Sequence, residues 1–244
     1  MRHNTLVTYR LSDTAPSAVT TQTLNDSAGY VTSTALYDAM LRPIQTQSPS
    51  PQSGRLVTNT YYDTRGWTWK VNNPWWDSGS APNTTLVGID DAKVPNQTVT
   101  DYDGLGRAIL TTSYYQSQIR ERTATAYYGD KTVTVPPKGG VATQTLTDAL
   151  GRTTEADQFT TLPDVTVSNS GGSAPITTVT ISGGSTKTAN GKTQGTAYTI
   201  DPLGHQTDVT SLASGDAWHA DYNTWGRSPP RRTRTPAPQR CSTT

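Results

Sequence analysis

Tyr102-Asp103-Gly104-Leu105-Gly106-Arg107 is the stretch of sequence that decides the fold. Asp at the first position of a type I β-turn accepts hydrogen bonds from the backbone just ahead of it, and Gly at the fourth position takes the positive φ that closes a hairpin. The hexad therefore predicts a turn between a strand that ends at Tyr102 and a strand that begins at Arg107. These two residues are expected to face each other, so that the guanidinium lies over the ring or reaches the Asp103 carboxylate.

Variants of this hexad recur along the chain and begin at residues 25, 37, 62, 147, 200 and 222. One D-x-x-G sequence is common loop chemistry, but six copies with Asp or Asn and Gly at the same offsets indicate an internal repeat. The copy that begins at Tyr37 has Leu41 in place of the Gly, so its turn is expected to differ. In addition to Tyr102, Asp103, Gly106 and Arg107, the predicted structural turn residues are Asp26, Gly29, Tyr37, Asp38, Arg42, Tyr62, Asp63, Gly66, Asp148, Gly151, Arg152, Asp201, Gly204, Tyr222, Asn223, Gly226 and Arg227.

The hexads resemble the Y-D-x-x-G-R core of the YD repeat in Rhs proteins, which are large bacterial polymorphic toxins with repeats related to those of animal teneurins. Residues 127–137, followed by Gly139-Gly140 and by residues 147–152, are also similar to Rhs proteins of actinobacteria. The resemblance covers residues 19–227 and implies an all-β fold, in which antiparallel β-hairpin repeats form a curved strip. That strip would be part of an Rhs-type β-shell around a toxic C-terminal effector.

The spacing of the hexads departs from a regular repeat, with steps of 12, 25, 40, 45, 53 and 22 residues. The longer steps leave room for an extra hairpin with a degenerate turn, or for a loop. Neither the core region of the family nor a toxin domain is recognisable after the repeats.

The composition favours strands and turns. Hydrophobic residues make up 32% of the 244 residues, and the chain holds 46 Thr, 20 Gly and 16 Pro. Thr suits half-wet sheet faces, and a charged fraction of 16% argues against a charge-driven disordered chain. The net charge of +1 favours neither nucleic acid nor a membrane as partner, and the single Cys241 excludes an internal disulfide. No long 3.6-residue period appears, so helix content should be very low.

Three parts are predicted along the chain. Residues 1–18 form a loose N-terminal segment, and residues 19–227 form the YD-repeat β-sheet region, with a predicted loop at 43–54 and a Gly/Ser/Thr-rich insertion at 163–195. The basic Pro/Arg-rich residues 228–244, with four Arg and no acid, are expected to be a disordered tail without a specific nucleic-acid partner, or out-of-frame sequence. No signal peptide or membrane span is recognisable, and the parent protein is expected to be secreted or to act at a cell surface.

Four tryptophans leave two interpretations open. Trp67 and Trp69 lie on a predicted return strand, whereas Trp75 and Trp76 lie in a predicted loop at 72–83. Exposed rings there can stack on sugars, which makes all four possible sugar-binding residues. The favoured interpretation is that they cover the edge or the inner face of the sheet. Burial of these four rings between strands favours a structural role in the wall of a β-shell, and their exposure next to the loop favours carbohydrate binding.

No catalytic constellation is recognisable. A nucleophile needs an adjacent base that is itself held in place, and His3, His205 and His219 are explained by a ragged end, a repeat turn and a strand. No metal-ligand spacing and no phosphate-binding loop occurs, so no cofactor is predicted.

The leading hypothesis is a non-catalytic structural module: a section of the YD-repeat shell that encloses or presents an effector, with the rest of the parent Rhs protein as its partner. The alternatives are a carbohydrate-binding adhesion module and a fragment of a nuclease toxin.

Overall fold

A computed structural model describes residues 4–169, 177–223, 225 and 233–235. In these residues the chain contains eighteen β-strands and one short 3-10 helix, Asp91–Lys93. The strands are β1 (Thr5–Arg10), β2 (Ser17–Leu24), β3 (Tyr30–Tyr37), β4 (Pro43–Pro49), β5 (Arg55–Tyr62), β6 (Thr68–Asp77), β7 (Gln97–Tyr102), β8 (Ala108–Tyr115), β9 (Gln118–Tyr127), β10 (Lys131–Val135), β11 (Thr143–Thr147), β12 (Thr153–Gln158), β13 (Asp164–Asn169), β14 (Thr177–Ser182), β15 (Gly195–Ile200), β16 (Gln206–Ser211), β17 (Ala217–His219) and β18 (Thr233–Thr235).

Strands that follow one another in the sequence also pair with one another. Within the described residues, sixteen strands form one sheet in the order β1 to β12 and then β15 to β18, while β13 and β14 form a separate pair. The pairing is antiparallel, as in the hairpin that runs from Ser17↔Tyr37 to Leu24↔Tyr30. The predicted all-β antiparallel fold with very little helix is confirmed. Thr, Val and Tyr dominate the strands because β-branched and aromatic side chains suit a pleated, half-buried surface.

The chain divides into two compact units, residues 1–122 and 123–244. Unit 1 contains β1 to β8, unit 2 contains β10 to β18, and the boundary falls within β9.

Two predicted loops contain strands. β4 occupies residues 43–49, and β6 continues to Asp77 through the segment that was expected to be a loop. Pro43 and Pro49 stand at the ends of β4, and Pro74 lies at a β-bulge, where the register shifts between Val57 and Asn59 of the partner strand. Prolines are tolerated at strand ends and bulges because no ladder N–H is required there, so these prolines do not interrupt the sheet.

The N-terminal segment, residues 1–18, contains one strand before β2. All six residues of β1 pair with β2, from Thr5↔Thr23 to Arg10↔Ala18. Every side chain of β1 is exposed, so the strand is held by its backbone ladder and contributes little to the core. A strand without buried positions carries no hydrophobic periodicity by which the sequence could indicate its bounds.

The core of unit 1 lies under the connection between β6 and β7. Val57, Trp75 and Val94 are buried together, and Val87 and Ile89 pack against them. Because Val87, Ile89 and Val94 come from this connection, the connection is a cover over the sheet rather than a free loop.

Two buried glutamines fasten that cover. Gln45 donates from Nε2 to the Val87 carbonyl (3.1 Å) and accepts at Oε1 from the Val87 N–H (2.9 Å). Gln47 binds two other residues of the connection in the same way: it donates from Nε2 to the Thr85 carbonyl (2.8 Å) and accepts at Oε1 from the Asn83 N–H (2.9 Å). The carboxamides thus take the place of the backbone of an adjacent strand, and the bonds satisfy the polar groups of the two buried glutamine side chains.

The predicted insertion at 163–195 contains a β-hairpin. β13 and β14 pair from Asp164↔Ser182 to Asn169↔Thr177. The main sheet resumes on the other side of this insertion, where β12 pairs with β15 at Glu155↔Ala197. The insertion therefore interrupts the chain between two neighbouring strands of the sheet without interrupting the sheet.

Candidate functional site: the aspartate turns

Asp103 organises a five-residue turn between β7 and β8. Its N–H donates to the Arg107 carbonyl (3.0 Å), and the Gly106 N–H donates to the Asp103 carbonyl (3.1 Å). Its Oδ1 accepts from the N–H groups of Leu105 and Arg107, both at 2.9 Å, and its Oδ2 accepts from Arg107 Nε at 2.7 Å. Gly106 has φ +82°, in the left-handed region that favours Gly. One carboxylate therefore closes the turn and fixes the direction of the Arg side chain.

The same turn is built on Asp38, Asp63, Asp148 and Asp201. In each, the Asp N–H donates to the carbonyl four residues later at 2.9–3.0 Å. The Oδ1 atom again accepts two backbone N–H groups at 2.8–3.0 Å. The partners of Oδ2 are Arg42 in the Asp38 turn, Arg65 in the Asp63 turn, Arg152 in the Asp148 turn and His205 in the Asp201 turn. Gly66, Gly151 and Gly204 have φ of +89°, +76° and +90° at the position of Gly106.

The turn at Asp38 corrects one expectation. Leu41 takes the position of the Gly with φ +58°, and the Leu41 N–H donates to the Asp38 carbonyl at 3.0 Å. The prediction that a turn without Gly would differ is therefore wrong. The hydrogen bonds and the ion pair of Asp38 hold the turn, and the leucine adopts the left-handed conformation.

The turn at 25–29 lies one residue earlier than predicted. The Asn25 N–H donates to the Gly29 carbonyl and Asn25 Oδ1 accepts from the Gly29 N–H, both at 2.8 Å, and the positive φ (+60°) falls on Ala28. Asn25 and Ala28 thus take the parts predicted for Asp26 and Gly29. The pairing Leu24↔Tyr30 leaves a loop of the same length as the Asp103 turn, and Asn supplies the same acceptor as Asp.

The last hexad is described only in part. Asn223 Oδ1 accepts from the Trp225 N–H at 3.0 Å, the bond that Asp103 Oδ1 makes with Leu105. Gly226 and Arg227, which were predicted to complete this turn, lie outside the described residues.

The aspartate turns share one margin of the sheet within each unit, because every second connection between consecutive antiparallel strands lies on the same side. In unit 1 the turns at Asp38, Asp63 and Asp103 join β3 to β4, β5 to β6 and β7 to β8. In unit 2 the turns at Asp148 and Asp201 join β11 to β12 and β15 to β16. We call these the turn margins. The steps between hexads are irregular for three reasons: the connections at the opposite margins vary in length, the turn at 25–29 lies opposite the Asp38 turn, and the β9–β10 turn between Tyr102 and Thr147 carries no hexad.

Three turns contact the next turn of their margin through the sixth residue of the hexad. That side chain covers the aromatic ring that opens the following hexad. The contacts are Arg42 over Tyr62 (Cζ to ring centroid 4.3 Å), Trp67 against Tyr102 (centroids 5.4 Å apart) and His205 stacked on Tyr222 (4.6 Å, planes 14° apart). We call each such contact a rung.

The rungs correct the expected arrangement of the hexad. Tyr102 pairs with Ala108 and not with Arg107, because the five-residue turn takes Arg107 into the loop. The prediction that Tyr and Arg of one hexad face each other is therefore wrong. The expected ion pair with the Asp does form, at 2.7 Å in the Asp103 turn.

The tyrosine hydroxyls add a second repeated contact. Each donates to the carbonyl of the residue that directly follows the sixth position of the preceding hexad. The bonds run from Tyr62 to Pro43 (3.0 Å), from Tyr102 to Thr68 (2.7 Å) and from Tyr222 to Gln206 (2.9 Å). Where Ile200 replaces the Tyr, Arg152 Nη1 instead donates to the Asp201 carbonyl at 3.1 Å.

One turn of this type escaped the sequence analysis. The Thr188 N–H donates to the Lys192 carbonyl at 2.8 Å, the Gly191 N–H donates to the Thr188 carbonyl at 2.9 Å, and Gly191 has φ +74°. Thr188 takes the position of the Asp, so this turn lacks the carboxylate of the D-x-x-G pattern. The spacing of Gly191 three residues after a Thr was the only signal.

The turn carboxylates are held ionised. Burial raises the pKa of Asp103, but hydrogen bonds from the Arg107 backbone and side chain and from the Leu105 N–H outweigh it, so the pKa lies below its ordinary value. At Asp148 the largest cause is the hydrogen bond from the Arg152 backbone, and the pKa is again lowered. The pKa values of Asp38, Asp63 and Asp201 are lowered by the same kinds of bond against the effect of burial.

The four tryptophans do not form one exposed platform. Trp75 is 6% exposed in the core of unit 1, and Trp67 lies between the Arg65 guanidinium, 3.9 Å from its ring, and the ring of Tyr102. Trp69 and Trp76 remain 40% and 48% exposed. Trp76 donates from Nε1 to a backbone carbonyl at 2.9 Å, so its polar edge is occupied.

His219 comes nearest to an acid–base group. Its Nδ1 lies 2.6 Å from Asp208 Oδ1 and its Nε2 lies 3.0 Å from Asp221 Oδ1. These hydrogen bonds, that to Asp208 first, raise the pKa of His219. Both ring nitrogens are occupied, so neither is available to activate a nucleophile.

Among the described residues, no three His, Cys, Asp or Glu side chains are grouped to hold a metal ion. No helix within the described ranges is long and apolar enough to cross a bilayer.

Comparison with known proteins finds similarity in fold. No protein-family model and no curated protein sequence matches the chain. The crystal structure of TcdB2-TccC3 is similar with a TM-score of 0.50 and 12% identity, over 91% of this chain and 14% of that chain. A Photorhabdus luminescens Tc holotoxin pore with a mutated TccC3 gives a TM-score of 0.46 at 12% identity, over 90% of this chain and 14% of that chain. The chain thus spans about one seventh of the length of the structures it resembles.

Proposed function

We propose that the chain is a non-catalytic structural module, a section of the YD-repeat wall of an Rhs-type toxin that encloses or presents an effector. The observation that carries this proposal is the rung. The residues that define the hexad, the aromatic, the Asp and the sixth residue, bond to one another or to the next turn of the same margin. Their chemistry joins hairpins into a sheet. The similarity in fold to part of TcdB2-TccC3 supports the proposal, since a wall section is expected to match only a fraction of a much longer chain.

In this proposal the partners are the remainder of the parent polypeptide and the effector, and the parent acts outside the producing cell. Limited proteolysis of a parent polypeptide that carries this segment tests enclosure. We expect the region that follows the repeats to resist protease, and to become sensitive when Asp103→Ala and Asp148→Ala together loosen both turn margins. Asp164→Ala, in the insertion hairpin, is the control. Equal digestion of the following region in all three proteins contradicts enclosure.

The absence of catalysis has its own test. We expect no nuclease, protease or glycosidase turnover from the purified chain. Turnover that disappears in His205→Ala, His219→Ala or Asp216→Ala would overturn the proposal, because the substituted residue would then be needed for catalysis.

A second candidate function, carbohydrate binding, is favoured by one observation. Trp69 and Tyr61, with ring centroids 5.9 Å apart, line a cavity of about 470 Å³ in unit 1 together with Asn59 and Thr60. An aromatic ring beside amide and hydroxyl groups can hold a sugar ring. Fluorescence titration with neutral oligosaccharides tests this function. Quenching in the wild type that is lost in Trp69→Ala but kept in Trp76→Ala supports it, and no saturable change contradicts it.

A further inference from the structure

Unit 2 contains a cavity that is lined by the main sheet and by the base of the insertion hairpin. Its volume is about 420 Å³, which lies within the range of small-molecule sites. β10 and β11 contribute Lys131 and Gln144, and the connection after β12 contributes Phe159. The stretch 181–187, in which β14 ends and the chain returns toward β15, supplies most of the remaining lining. None of the lining residues belongs to a hexad, so the wall function leaves this cavity unexplained.

Hydrogen bonds hold the parts of the cavity lining together. The Tyr128 hydroxyl donates to the Ile181 carbonyl at 3.1 Å, and the Thr160 N–H donates to the Ser185 carbonyl at 2.7 Å. The Thr160 hydroxyl also donates to the Lys187 carbonyl at 2.6 Å, which fixes the backbone that carries this lysine. The cavity is therefore formed before a ligand arrives, and binding does not have to order its walls.

The lining of the cavity carries positive charge. It includes Lys131 and Lys187 and no acidic residue. Neither ammonium forms an ion pair with a carboxylate of the described residues, whereas Lys70 and Lys93 do. Lys131 Nζ lies 4.9 Å from the centroid of the Tyr128 ring, so its charge is held at the cavity. A cavity lined by charges of one sign concentrates ions of the opposite sign, which here are anions.

The uncharged part of the lining suits a hydroxylated ring. Gln144 Nε2 donates to the buried carboxylate of Asp157 at 3.2 Å, which leaves Oε1 of Gln144 to accept from a hydroxyl group. Ser182 adds a hydroxyl group of its own to the lining. The ring of Phe159 packs against Gly184, where a Cβ would lie only 2.9 Å from it, and provides an apolar surface. Sugar rings bind to aromatic surfaces of this kind while their hydroxyls bond to neighbouring polar groups.

We infer that this cavity binds an anionic sugar, whose carboxylate or phosphate pairs with Lys131 and Lys187 and whose ring lies against Phe159. A neutral sugar lacks the charged group that the two lysines attract. A simple inorganic anion lacks the ring and the hydroxyls that the rest of the lining accommodates. This site goes beyond the wall function, because a wall requires no bound ligand.

Titration of the isotope-labelled full chain with single sugars, followed by NMR, tests the site. The probes are glucuronate, glucose 6-phosphate, neutral glucose and inorganic phosphate. We expect saturable shifts of the Gly183 and Gly184 amide signals with at least one of the two anionic sugars, and dissociation constants at least about tenfold higher for glucose and for inorganic phosphate. The anionic sugar that binds more tightly identifies the charged group as a carboxylate or a phosphate.

Two double variants of equal charge separate this site from a general attraction of anions. Lys131→Met/Lys187→Met should raise the dissociation constant of the tighter sugar at least about tenfold, without loss of an ion pair within the described residues. Lys138→Met/Lys192→Met removes the same charge from two exposed lysines outside the cavity and should leave the constant unchanged. Lys187→Met alone, at an exposed position, should weaken binding in the same direction, which keeps the test independent of folding.

Three results would each overturn the inference. They are the absence of a saturable shift with both anionic sugars, equal affinity for glucose or inorganic phosphate, and an equal loss of affinity in the two double variants. The last result would show that anions respond to the net charge of the chain and not to this cavity.

Discussion

At the scale of the residue, the Asp of each hexad makes three kinds of bond with one carboxylate and its own backbone. In the Asp103 turn, Oδ1 takes two backbone N–H groups, Oδ2 takes the Arg107 guanidinium, and the backbone closes the loop. Asn cannot supply the ion pair, and Asn25 is shown with one backbone N–H on Oδ1 and the closing backbone bond. The bond to Oδ2 explains why Asp recurs. In the Asp38, Asp148 and Asp201 turns its partner is the sixth residue, which also contacts the next turn, whereas in the Asp63 turn it is Arg65.

Gly106→Val should destabilise the chain more than Gly191→Val. Both glycines have positive φ, +82° and +74°, so both variants lose about 1–2 kcal/mol to backbone conformation. A Cβ at Gly106 would also lie 2.7 Å from the Trp67 ring, whereas nothing lies within 4 Å of a Cβ at Gly191. Thermal melting of the two variants measures the difference, and equal shifts would show that Trp67 moves aside freely.

Leu41→Gly should stabilise the chain, contrary to the usual effect of glycine. Leu41 is exposed and has φ +58°, a conformation that disfavours side chains by about 1 kcal/mol or more. Removing the side chain relieves this strain, and the greater freedom of the unfolded chain offsets only part of the gain. Met40→Gly is the control, because the neighbouring residue has no positive φ and should become less stable. A lower melting temperature for Leu41→Gly would contradict the strain.

At the scale of the element, a hairpin is joined to the next one on its margin by more than the strand ladder. The rung and the tyrosine hydroxyl bond both bridge consecutive aspartate turns, so each turn is supported by the turn before it. The β4–β5 pair shows a second device, in which Gln45 and Gln47 bind the backbone of the covering segment. Both devices connect elements that are far apart in sequence and adjacent in the sheet.

Tyr102→Phe should lower the free energy of unfolding by about 1 kcal/mol, because the Thr68 carbonyl loses a donor in a half-buried position. Tyr9→Phe, on the exposed strand β1, should change stability by less than about 0.5 kcal/mol. Urea denaturation measures the free energy of unfolding of both variants.

A double-mutant cycle with Trp67→Ala and Tyr102→Ala isolates the ring contact between these two residues. A coupling energy of zero would show that the rung contributes nothing to stability.

At the scale of the whole molecule, stability is spread over many similar turns and should follow the titration of their carboxylates. A lowered folded pKa means that a turn Asp stabilises the fold above the unfolded value of about 3.9, and that this contribution disappears as the pH falls through the folded pKa. His219 has the opposite sign. Its raised pKa means full stabilisation below about 6.5 and loss as the pH rises through the folded pKa.

The melting temperature should therefore be highest between about pH 4 and pH 6.5, and it should fall on both sides. His219→Gln should remove part of the decline above this range. It should also reduce the acid decline, because the hydrogen bond from His219 is the main cause of the lowered pKa of Asp208. Asp148→Asn should reduce the acid decline alone. Glu155, whose pKa is raised by burial and by Asp157, adds a loss of stability as the pH rises through its own titration. A melting temperature that keeps rising from pH 6.5 to pH 8.5 would contradict the assignment of His219 as an imidazolium between two carboxylates.

The sequence by itself determined the class of fold and the chemistry of the turns. Asp, its two N–H partners and the left-handed residue lie within five consecutive positions, so pairs such as Asp103 and Gly106 specify the turn from local sequence. Asp26 and Gly29 are the exception, because the turn there forms on Asn25 and Ala28. The alternation of Thr, Val and aromatic residues between the turns similarly specifies strands. These are local interactions, and their outcome depends little on the rest of the chain.

Only the tertiary structure decided what the turns contact. Arg42 covers Tyr62, twenty residues further along, because β4 and β5 return the chain to the same margin, and no local rule contains that distance. The burial of Trp75 and the role of Gln45 likewise depend on the covering segment that lies over them. The register of β2 and β3 decided that the turn is formed by residues 25–29 and begins at Asn25. Contacts of this kind are set by which strands become neighbours, and that is a property of the assembled sheet.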